Sequence, residues 1–281
     1  MFRALSLLPL SVLYAVCAVL AFLARVFRWR AGFVRDGLAR CLPDTPEAER
    51  RRIAADFYRY LGELVAEAVH GARIDGDDLV GRLRFENAEI VEDALGSGKR
   101  VMLLAAHHCN WEWLLLRCST AFGAPLTAAY KPVSREPADR ALTAMRSRYG
   151  ATLVPAKRIV QHLIEQRGGV KLLALVADQS PPASSDQQSW RPFFGEETAF
   201  FRGPGWIGAK MGFQPVFIAM RRESRGRYVV RFMPLLESGE RPDADRIISA
   251  YVQAVEAHAR EHPAQYFWAY NRWKRARRLY D

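Results

Sequence analysis

Residues 101–113 are Val-Met-Leu-Leu-Ala-Ala-His-His-Cys-Asn-Trp-Glu-Trp. The apolar run that opens this stretch has the composition of a buried strand, and it ends abruptly at His107. Four residues separate His107 from the carboxylate of Glu112. A strand that ends at His107 and a helix that begins near Cys109 would bring these two side chains together across a tight turn. The stretch therefore predicts a strand–turn–helix unit with a histidine and a carboxylate at the turn.

This histidine and carboxylate predict acid–base chemistry. A histidine changes its charge near neutral pH and can act as a general base, while a neighbouring carboxylate can hold its ring in one tautomer. The position supports this interpretation, because α/β proteins place their sites at the carboxyl ends of strands. The chemistry that suits His107 and Glu112 is removal of a proton from a hydroxyl that then attacks a carbonyl. Spacing alone leaves open an ordinary histidine–glutamate pair.

The rest of the chain alternates between predicted strands and predicted helices. Strands are predicted at residues 100–106, 126–130, 152–154, 172–177, 215–221 and 228–233. Helices are predicted from a capping signal at 44–49 to about residue 71, and at 87–96, 110–121, 136–148, 158–167, 203–211 and 243–260. This alternation predicts an α/β fold with a mixed, mostly parallel central sheet flanked by helices. Residues 33–45 are predicted to be a connector, and residues 179–198 an irregular lid or substrate-contacting loop.

Length and composition limit the class of protein. The 281 residues suffice for one domain with a sizeable core, and 50% hydrophobic content excludes a disordered chain. The formal charge of +11 favours an anionic partner: nucleic acid, an acidic membrane surface or a phosphorylated substrate. The four cysteines include no Cys-x-x-Cys pair, so they predict reduced thiols in a cytoplasmic protein, with neither a disulfide frame nor a zinc site.

The amino terminus favours a membrane. Residues 4–24 carry no charge, and 21 residues suffice to cross a bilayer core of roughly 30 Å. Arginines at 25, 28, 30 and 35 follow, against Arg3 alone before, so the positive-inside rule places the rest of the chain in the cytoplasm. We therefore predict a membrane anchor over residues 1–30 and a catalytic domain over residues 31–281. The alternatives are a signal peptide and a helix kinked at Pro9 that lies in the membrane interface.

The motif at residues 107–112 also carries a family resemblance. His-x-x-x-x-Glu, with Asn110-Trp111 before the glutamate, resembles the His-x4-Asp/Glu motif of the glycerolipid acyltransferase superfamily. Within that superfamily it is most similar to the bacterial lipid A biosynthesis (lauroyl/myristoyl) acyltransferases. The chain departs from their pattern in one place, because Cys109 stands where glycine is common.

Further motifs extend this resemblance from about residue 5 to 275. They are, in chain order, Tyr130-Lys131-Pro132, Arg146, Asp178-Gln179, Pro192-Phe193-Phe194-Gly195 with Thr198, and the closing run His262-Pro263-Ala264-Gln265-Tyr266-Phe267-Trp268-Ala269-Tyr270-Asn271-Arg272-Trp273-Lys274. Their order and spacing agree with those of the family, so the resemblance covers nearly the whole chain.

The resemblance implies an acyltransferase that moves a fatty acyl chain from acyl carrier protein to a hydroxyl of a phosphorylated lipid A precursor. It implies a bacterial inner-membrane enzyme whose catalytic domain faces the cytoplasm, with no cofactor and no metal. His107 would be the general base and Glu112 the residue that orients it. Substrate binding and charge stabilisation would fall to residues of the matching motifs: Arg146, Asp178, Asn110 and Lys131.

Several alternatives remain open at this stage. Cys109 could be a nucleophile, and Asp178 could be a helix cap or an ion-pair partner of Arg146. The acceptor could instead be an ornithine lipid, a glycolipid, a lysophospholipid or an aryl-polyene lipid, and the chain could be a non-catalytic membrane-tethered binding protein. The basic residues at the carboxyl terminus, with Trp268 and Trp273 among them, are predicted to lie at anionic headgroups; nucleic acid binding and a solvated tail are the alternatives. These basic residues are Arg272, Lys274, Arg275, Arg277 and Arg278.

Overall fold

The computed structural model describes residues 5–182, 187–237, 239–240 and 242–273. Two predicted features therefore lie partly outside the described residues. These are the start of the uncharged amino-terminal run, with Arg3, and the basic residues Lys274, Arg275, Arg277 and Arg278.

A seven-stranded sheet forms the centre of the fold, and its strands lie in the order β1-β9-β8-β2-β5-β3-β4. The strands are β1 Leu83–Phe85, β2 Arg100–Ala105, β3 Leu126–Tyr130, β4 Thr152–Pro155, β5 Leu172–Val176, β8 Phe213–Ser224 and β9 Arg227–Pro234. Every neighbouring pair is parallel except β8 and β9. The predicted mixed, mostly parallel sheet is confirmed, with β1 as a short strand that the sequence analysis missed.

Helices cover the sheet on both faces. They span Leu10–Val26, Ala31–Cys41, Glu47–His70, Gly76–Arg82, Glu89–Gly96, Trp111–Ala121, Glu136–Arg146, Ile159–Glu165, Gly203–Met211 and Ala244–Glu261. Successive residues of β2 point to opposite faces, so Met102 and Leu104 enter one apolar core while Val101 and Leu103 enter another. The Ala244–Glu261 helix packs in the first core and the Trp111–Ala121 helix in the second.

The position of β2 determines where the motif lies. β2 runs between β5 and β8, with Val101 opposite Leu172 and Ala105 opposite Val176. Continuing that register past the ends of both strands brings His107 opposite Asp178. The motif turn therefore leaves the middle of the sheet at its carboxyl edge, where α/β proteins place their sites.

Two segments predicted to be irregular contain regular structure among their described residues. Residues 33–45 contain most of the Ala31–Cys41 helix, which buries Val34, Leu38 and Cys41 on one face. Residues 179–198 include β6 (Gln188–Phe193) and the first half of β7 (Glu196–Phe201), and these two strands form an antiparallel hairpin. Its two-residue turn, Phe194-Gly195, has positive φ at both positions, as a type I′ turn requires. Burial of Phe193 and Phe200 stabilises this hairpin.

The amino-terminal helix packs along the domain. It begins at Leu10, after Pro9, and buries Leu13, Cys17 and Ala21 on one face. That face meets the Glu47–His70 helix so closely that a Cβ at Gly62 would lie 2.7 Å from the Cys17 carbonyl oxygen. The absence of a side chain at Gly62 thus permits the approach.

The expectation of a single spanning helix over residues 4–24 is not met. Among the described residues, no one helix is both long and apolar enough to cross a bilayer. The Leu10–Val26 and Ala31–Cys41 helices are long and apolar enough only when taken together, and the angle of the bend between them is 80°.

Candidate active site

The turn after β2 has an unusual backbone. Cys109 has a φ of +54°, in the left-handed region that favours glycine. The glycine of the motif that the chain resembles would adopt this backbone conformation without strain. The Cys109 thiol is fully buried and donates to the Met220 carbonyl oxygen at 3.0 Å. Burial raises the pKa of this thiol well above its usual range, which disfavours the thiolate that a nucleophile needs.

His107 is held by Asp178. Its Nδ1 lies 2.6 Å from Asp178 Oδ1, and its backbone N–H donates to the same oxygen at 3.1 Å. Because a carboxylate only accepts, Nδ1 carries a proton, and in the neutral tautomer the lone pair is then on Nε2. Gln179 Nε2 approaches that lone pair at 3.3 Å. The side chain of His107 is 21% exposed, whereas that of Asp178 is 1% exposed. Of these two side chains, only the His107 ring therefore reaches solvent.

Asp178 is kept ionised despite its burial. Burial opposes its charge, but His107 and Arg272 outweigh this and lower the pKa of the carboxyl below its usual value. Arg272 Nη2 lies 3.2 Å from Asp178 Oδ2, and the Tyr266 hydroxyl donates to the same oxygen at 3.3 Å. Arg272 was predicted to lie at lipid headgroups, and this is wrong: the residue is buried against Asp178.

Glu112 has a different partner from the predicted one. Arg146 donates from Nε to Oε2 at 2.8 Å and from Nη2 to Oε1 at 2.6 Å, a bidentate pair with both side chains largely buried. The orienting contact on the His107 ring therefore belongs to Asp178, not to Glu112, and Asp178 pairs with Arg272 instead of Arg146. The sheet order explains the exchange, because adjacent parallel strands β2 and β5 bring His107 and Asp178 side by side.

Trp111 connects the two pairs. Its indole ring packs edge-on against His107 with centroids 5.0 Å apart, and its Nε1 donates to Glu112 Oε1 at 3.2 Å. Phe267 completes an aromatic wall, with ring centroids 6.3 Å from His107 and 6.0 Å from Trp111. The motif and its neighbours thus gather one partly exposed imidazole, two ion pairs and an apolar wall at one edge of the sheet.

Asn110 and Lys131, both predicted to act on the substrate, lie in contrasting places. Asn110 is fully buried, and its Oδ1 caps the motif helix by accepting from the Trp113 N–H at 2.9 Å. Its Nδ2 donates to Glu67 Oε2 at 2.7 Å, so both ends of the side chain are bonded within the protein. Lys131 follows β3 at the same edge of the sheet and is exposed.

The carboxyl-terminal segment supports the motif turn, a role that sequence reasoning missed. The Phe267 N–H donates to the His107 carbonyl oxygen at 2.9 Å, and His108 forms an isolated antiparallel bridge with Tyr266. Arg272 lies over the Phe193 ring at 5.1 Å. The sequence signal for this role was the closing run at residues 262–274, which folds back against the motif at residues 107–112.

His108 lies behind the turn among two other histidines. Burial lowers its pKa well below the usual value, and its ring nitrogens each lie 3.2 Å from a carbonyl oxygen, those of Met220 and His262. Among the described residues, one group of three potential metal ligands, His258, Glu261 and His262, has its ligand atoms within 4.8 Å of one another. The His-x-x-Glu-His spacing of this group was the missed signal. His258 is buried with its Nε2 2.8 Å from the Met220 carbonyl oxygen, whereas Glu261 is largely exposed.

Comparison with known families gives a match over nearly the whole chain. Residues 1–275 match the model of a family described as bacterial lipid A biosynthesis acyltransferase. A comparison with curated protein sequences found no match. The family match covers nearly the whole chain and includes both the His107 turn and the Asp178 and Arg272 segments that surround it. The chain therefore belongs to the bacterial lipid A biosynthesis acyltransferase family.

Proposed function

We propose that this acyltransferase moves a fatty acyl chain from an acyl carrier protein thioester to a hydroxyl of a lipid A precursor, with His107 as general base. Family membership supports the reaction class and the lipid A pathway. The observation that carries the residue assignment is the 2.6 Å contact between His107 Nδ1 and the buried carboxylate of Asp178. It leaves Nε2, which the Gln179 side-chain amide approaches at 3.3 Å, as the ring nitrogen that can accept a proton.

The proposed step is a direct transfer. The acceptor hydroxyl gives its proton to His107 Nε2 while its oxygen forms a bond to the thioester carbonyl carbon. The tetrahedral intermediate then expels the thiolate, and the imidazolium returns the proton to that sulfur. Asp178 stabilises the imidazolium between these two proton transfers, in the manner of the carboxylate of a catalytic triad. The thiol of Cys109 takes no part, so no acyl-enzyme forms.

Negative charge develops on the carbonyl oxygen during the attack and requires donors. We assign this role to backbone amides at the amino end of the Trp111–Ala121 helix, where the helix dipole also favours negative charge. Arg146 and Glu112 neutralise each other in part, so we assign them mainly to fixing Trp111 beside His107. Lys131 is the exposed cation that we assign to a phosphate of the acceptor.

We further propose that the protein works at the cytoplasmic face of the inner membrane, with its amino-terminal helix lying in the interface. One side of that helix packs on the domain, and the other exposes large apolar residues. These are Val12, Val16, Val19, Leu20, Phe22, Leu23, Val26 and Phe27. The arginines that follow supply attraction to anionic lipid, at about 1 kcal/mol for each charge near the surface.

The proposal is tested by incubating the purified full-length protein with acyl carrier protein loaded with a fatty acid. The acceptors would be a lipid A precursor, an ornithine lipid precursor and a lysophospholipid, each in detergent. We expect mass spectrometry to find a singly acylated lipid A precursor. Acylation of another acceptor alone would replace the acceptor assignment and keep the chemistry, whereas no transfer to any acceptor would favour a binding protein.

A further inference from the structure

Glu67 is a buried carboxylate that the proposed reaction does not use. It lies in the Glu47–His70 helix and is fully buried. Its Oε1 accepts from the Tyr14 hydroxyl at 2.8 Å. Its Oε2 accepts from the Tyr228 hydroxyl at 2.6 Å and from Asn110 Nδ2 at 2.7 Å. Three donors from three separate segments of the chain thus meet on one carboxylate.

The hydrogen bonds from the three donors together offset the cost of burying the Glu67 carboxylate. Burial raises the pKa of Glu67, while the hydrogen bonds from Tyr228, Tyr14 and Asn110 oppose that effect. A buried carboxylate that loses a donor keeps an unsatisfied oxygen, which is costly in an apolar interior. The position of each donor therefore depends on the presence of the others.

One of these donors belongs to the amino-terminal helix. Tyr14 lies in the Leu10–Val26 helix, on the side that packs against the Glu47–His70 helix. Close packing of Cys17 and Ala21 against Gly62 sets the distance between the two helices. Tyr14 reaches Glu67 only while the amino-terminal helix is seated in this way.

Another donor belongs to the motif turn. Asn110 uses its Nδ2 on Glu67 and its Oδ1 to cap the helix that carries Glu112. The backbone carbonyl of Glu67 also accepts from Trp113 Nε1 at 2.8 Å. Glu67 therefore fixes the start of the motif helix, from which Trp111 reaches both His107 and Glu112.

We propose that Glu67 is a positioning residue that couples seating of the amino-terminal helix to the geometry of the His107 turn. This inference rests on the proposed function, since it makes a lipid-facing helix part of the support of the catalytic residues. The seated helix supplies the Tyr14 hydroxyl, Glu67 passes the constraint to Asn110, and Asn110 holds the turn. Anything that lifts the helix from the domain should reduce turnover without touching His107.

The test compares Tyr14→Phe and Glu67→Gln with Tyr58→Phe in the full-length protein in detergent. Tyr58 is a matched control, because its hydroxyl also links the Glu47–His70 helix to the amino-terminal segment, donating to the Trp29 carbonyl oxygen at 2.7 Å. Its bond does not involve Glu67. Two readouts are measured: kcat and KM with a dispersed acceptor, and the indole N–H resonance of Trp111, assigned with Trp111→Phe.

We expect Tyr14→Phe and Glu67→Gln to lower kcat about tenfold and change KM less than twofold, with the Trp111 resonance shifted in both. Tyr58→Phe should leave kcat and the resonance as in the wild type. An unshifted Trp111 resonance in Tyr14→Phe, or an equal shift in Tyr58→Phe, would overturn the coupling. A wild type without transferase activity would defeat the proposed function, while the resonance would still decide the coupling.

Discussion

Replacing Asp178 by asparagine keeps the size of the side chain and removes its charge. In the wild type, Oδ1 receives His107 Nδ1–H at 2.6 Å and Oδ2 receives Arg272 at 3.2 Å. The amide of asparagine has one oxygen that accepts and one nitrogen that only donates, so it cannot accept from His107 and from Arg272 on separate atoms. It also carries no negative charge to stabilise an imidazolium. Loss of the oriented, charge-stabilised base should lower kcat by about 10²–10⁴-fold, the contribution typical of general-base catalysis.

The same substitution should weaken the fold. Arg272 is buried and would lose its anionic partner, which costs about 3–5 kcal/mol for a broken buried pair. For a chain of 281 residues that corresponds to a fall in melting temperature of about 5–9 °C. Turnover must therefore be measured well below the melting temperature of the variant, with circular dichroism as the check on folding.

The stability effect should depend on pH in a defined direction. The folded-state pKa of Asp178 is lower than its usual value, so its charge stabilises the fold above about pH 4 and this contribution is lost as the pH falls further. The difference in unfolding free energy between wild type and Asp178→Asn should thus be largest at neutral pH and shrink below about pH 4. Urea titrations at several pH values measure it.

Asp245→Asn is the matched control, because Asp245 also pairs with an arginine, Arg191, but is largely exposed. It should leave kcat unchanged and alter the unfolding free energy by at most about 1 kcal/mol. The account of Asp178 would be refuted by a folded Asp178→Asn enzyme with wild-type kcat, or by a stability difference that grows toward low pH.

Three further predictions concern other parts of the structure. Cys109→Gly should remain active, since glycine suits the positive φ and no acyl-thioester forms; a trapped acyl group on Cys109 would contradict this. Glu112→Gln should lower kcat about tenfold or more in a steady-state assay, because the bidentate pair with Arg146 that fixes Trp111 is broken. Phe22→Asp with Phe27→Asp should abolish vesicle flotation while transfer to a detergent-dispersed acceptor persists, and undiminished flotation would count against interfacial insertion.

Local patterns predicted most of the architecture. The apolar run before His107 and five similar runs all became strands of one sheet. The central strands β2 and β5 are largely buried, whereas the edge strand β4 buries only Val154. The break at His107 marked the carboxyl edge of the sheet correctly. The helix at residues 203–211 was predicted with the bounds that the structure shows.

Non-local contacts account for what the sequence could not show. The partner of His107 depends on the order of strands, which places β5 rather than β3 beside β2, and no spacing along the chain encodes that order. Arg272 contacts Asp178 although the two residues lie 94 positions apart in the sequence, so no local pattern predicts this pair. The helix over Ala31–Cys41 was missed because its two glycines lower helix propensity, while burial of Val34 and Leu38 stabilises it.

The most direct test of the central claim compares His107→Ala with His162→Ala in single-turnover acyl transfer. His162 is a partly buried histidine of the Ile159–Glu165 helix, so it controls for loss of an imidazole elsewhere in the fold. With enzyme in excess over the acyl carrier protein thioester, and with saturating lipid A precursor, we expect His107→Ala to fold normally and to transfer the acyl chain about 10²–10⁴-fold more slowly than the wild type. His162→Ala should match the wild type. A folded His107→Ala protein that keeps a tenth or more of the wild-type rate would contradict the assignment of His107 as the general base.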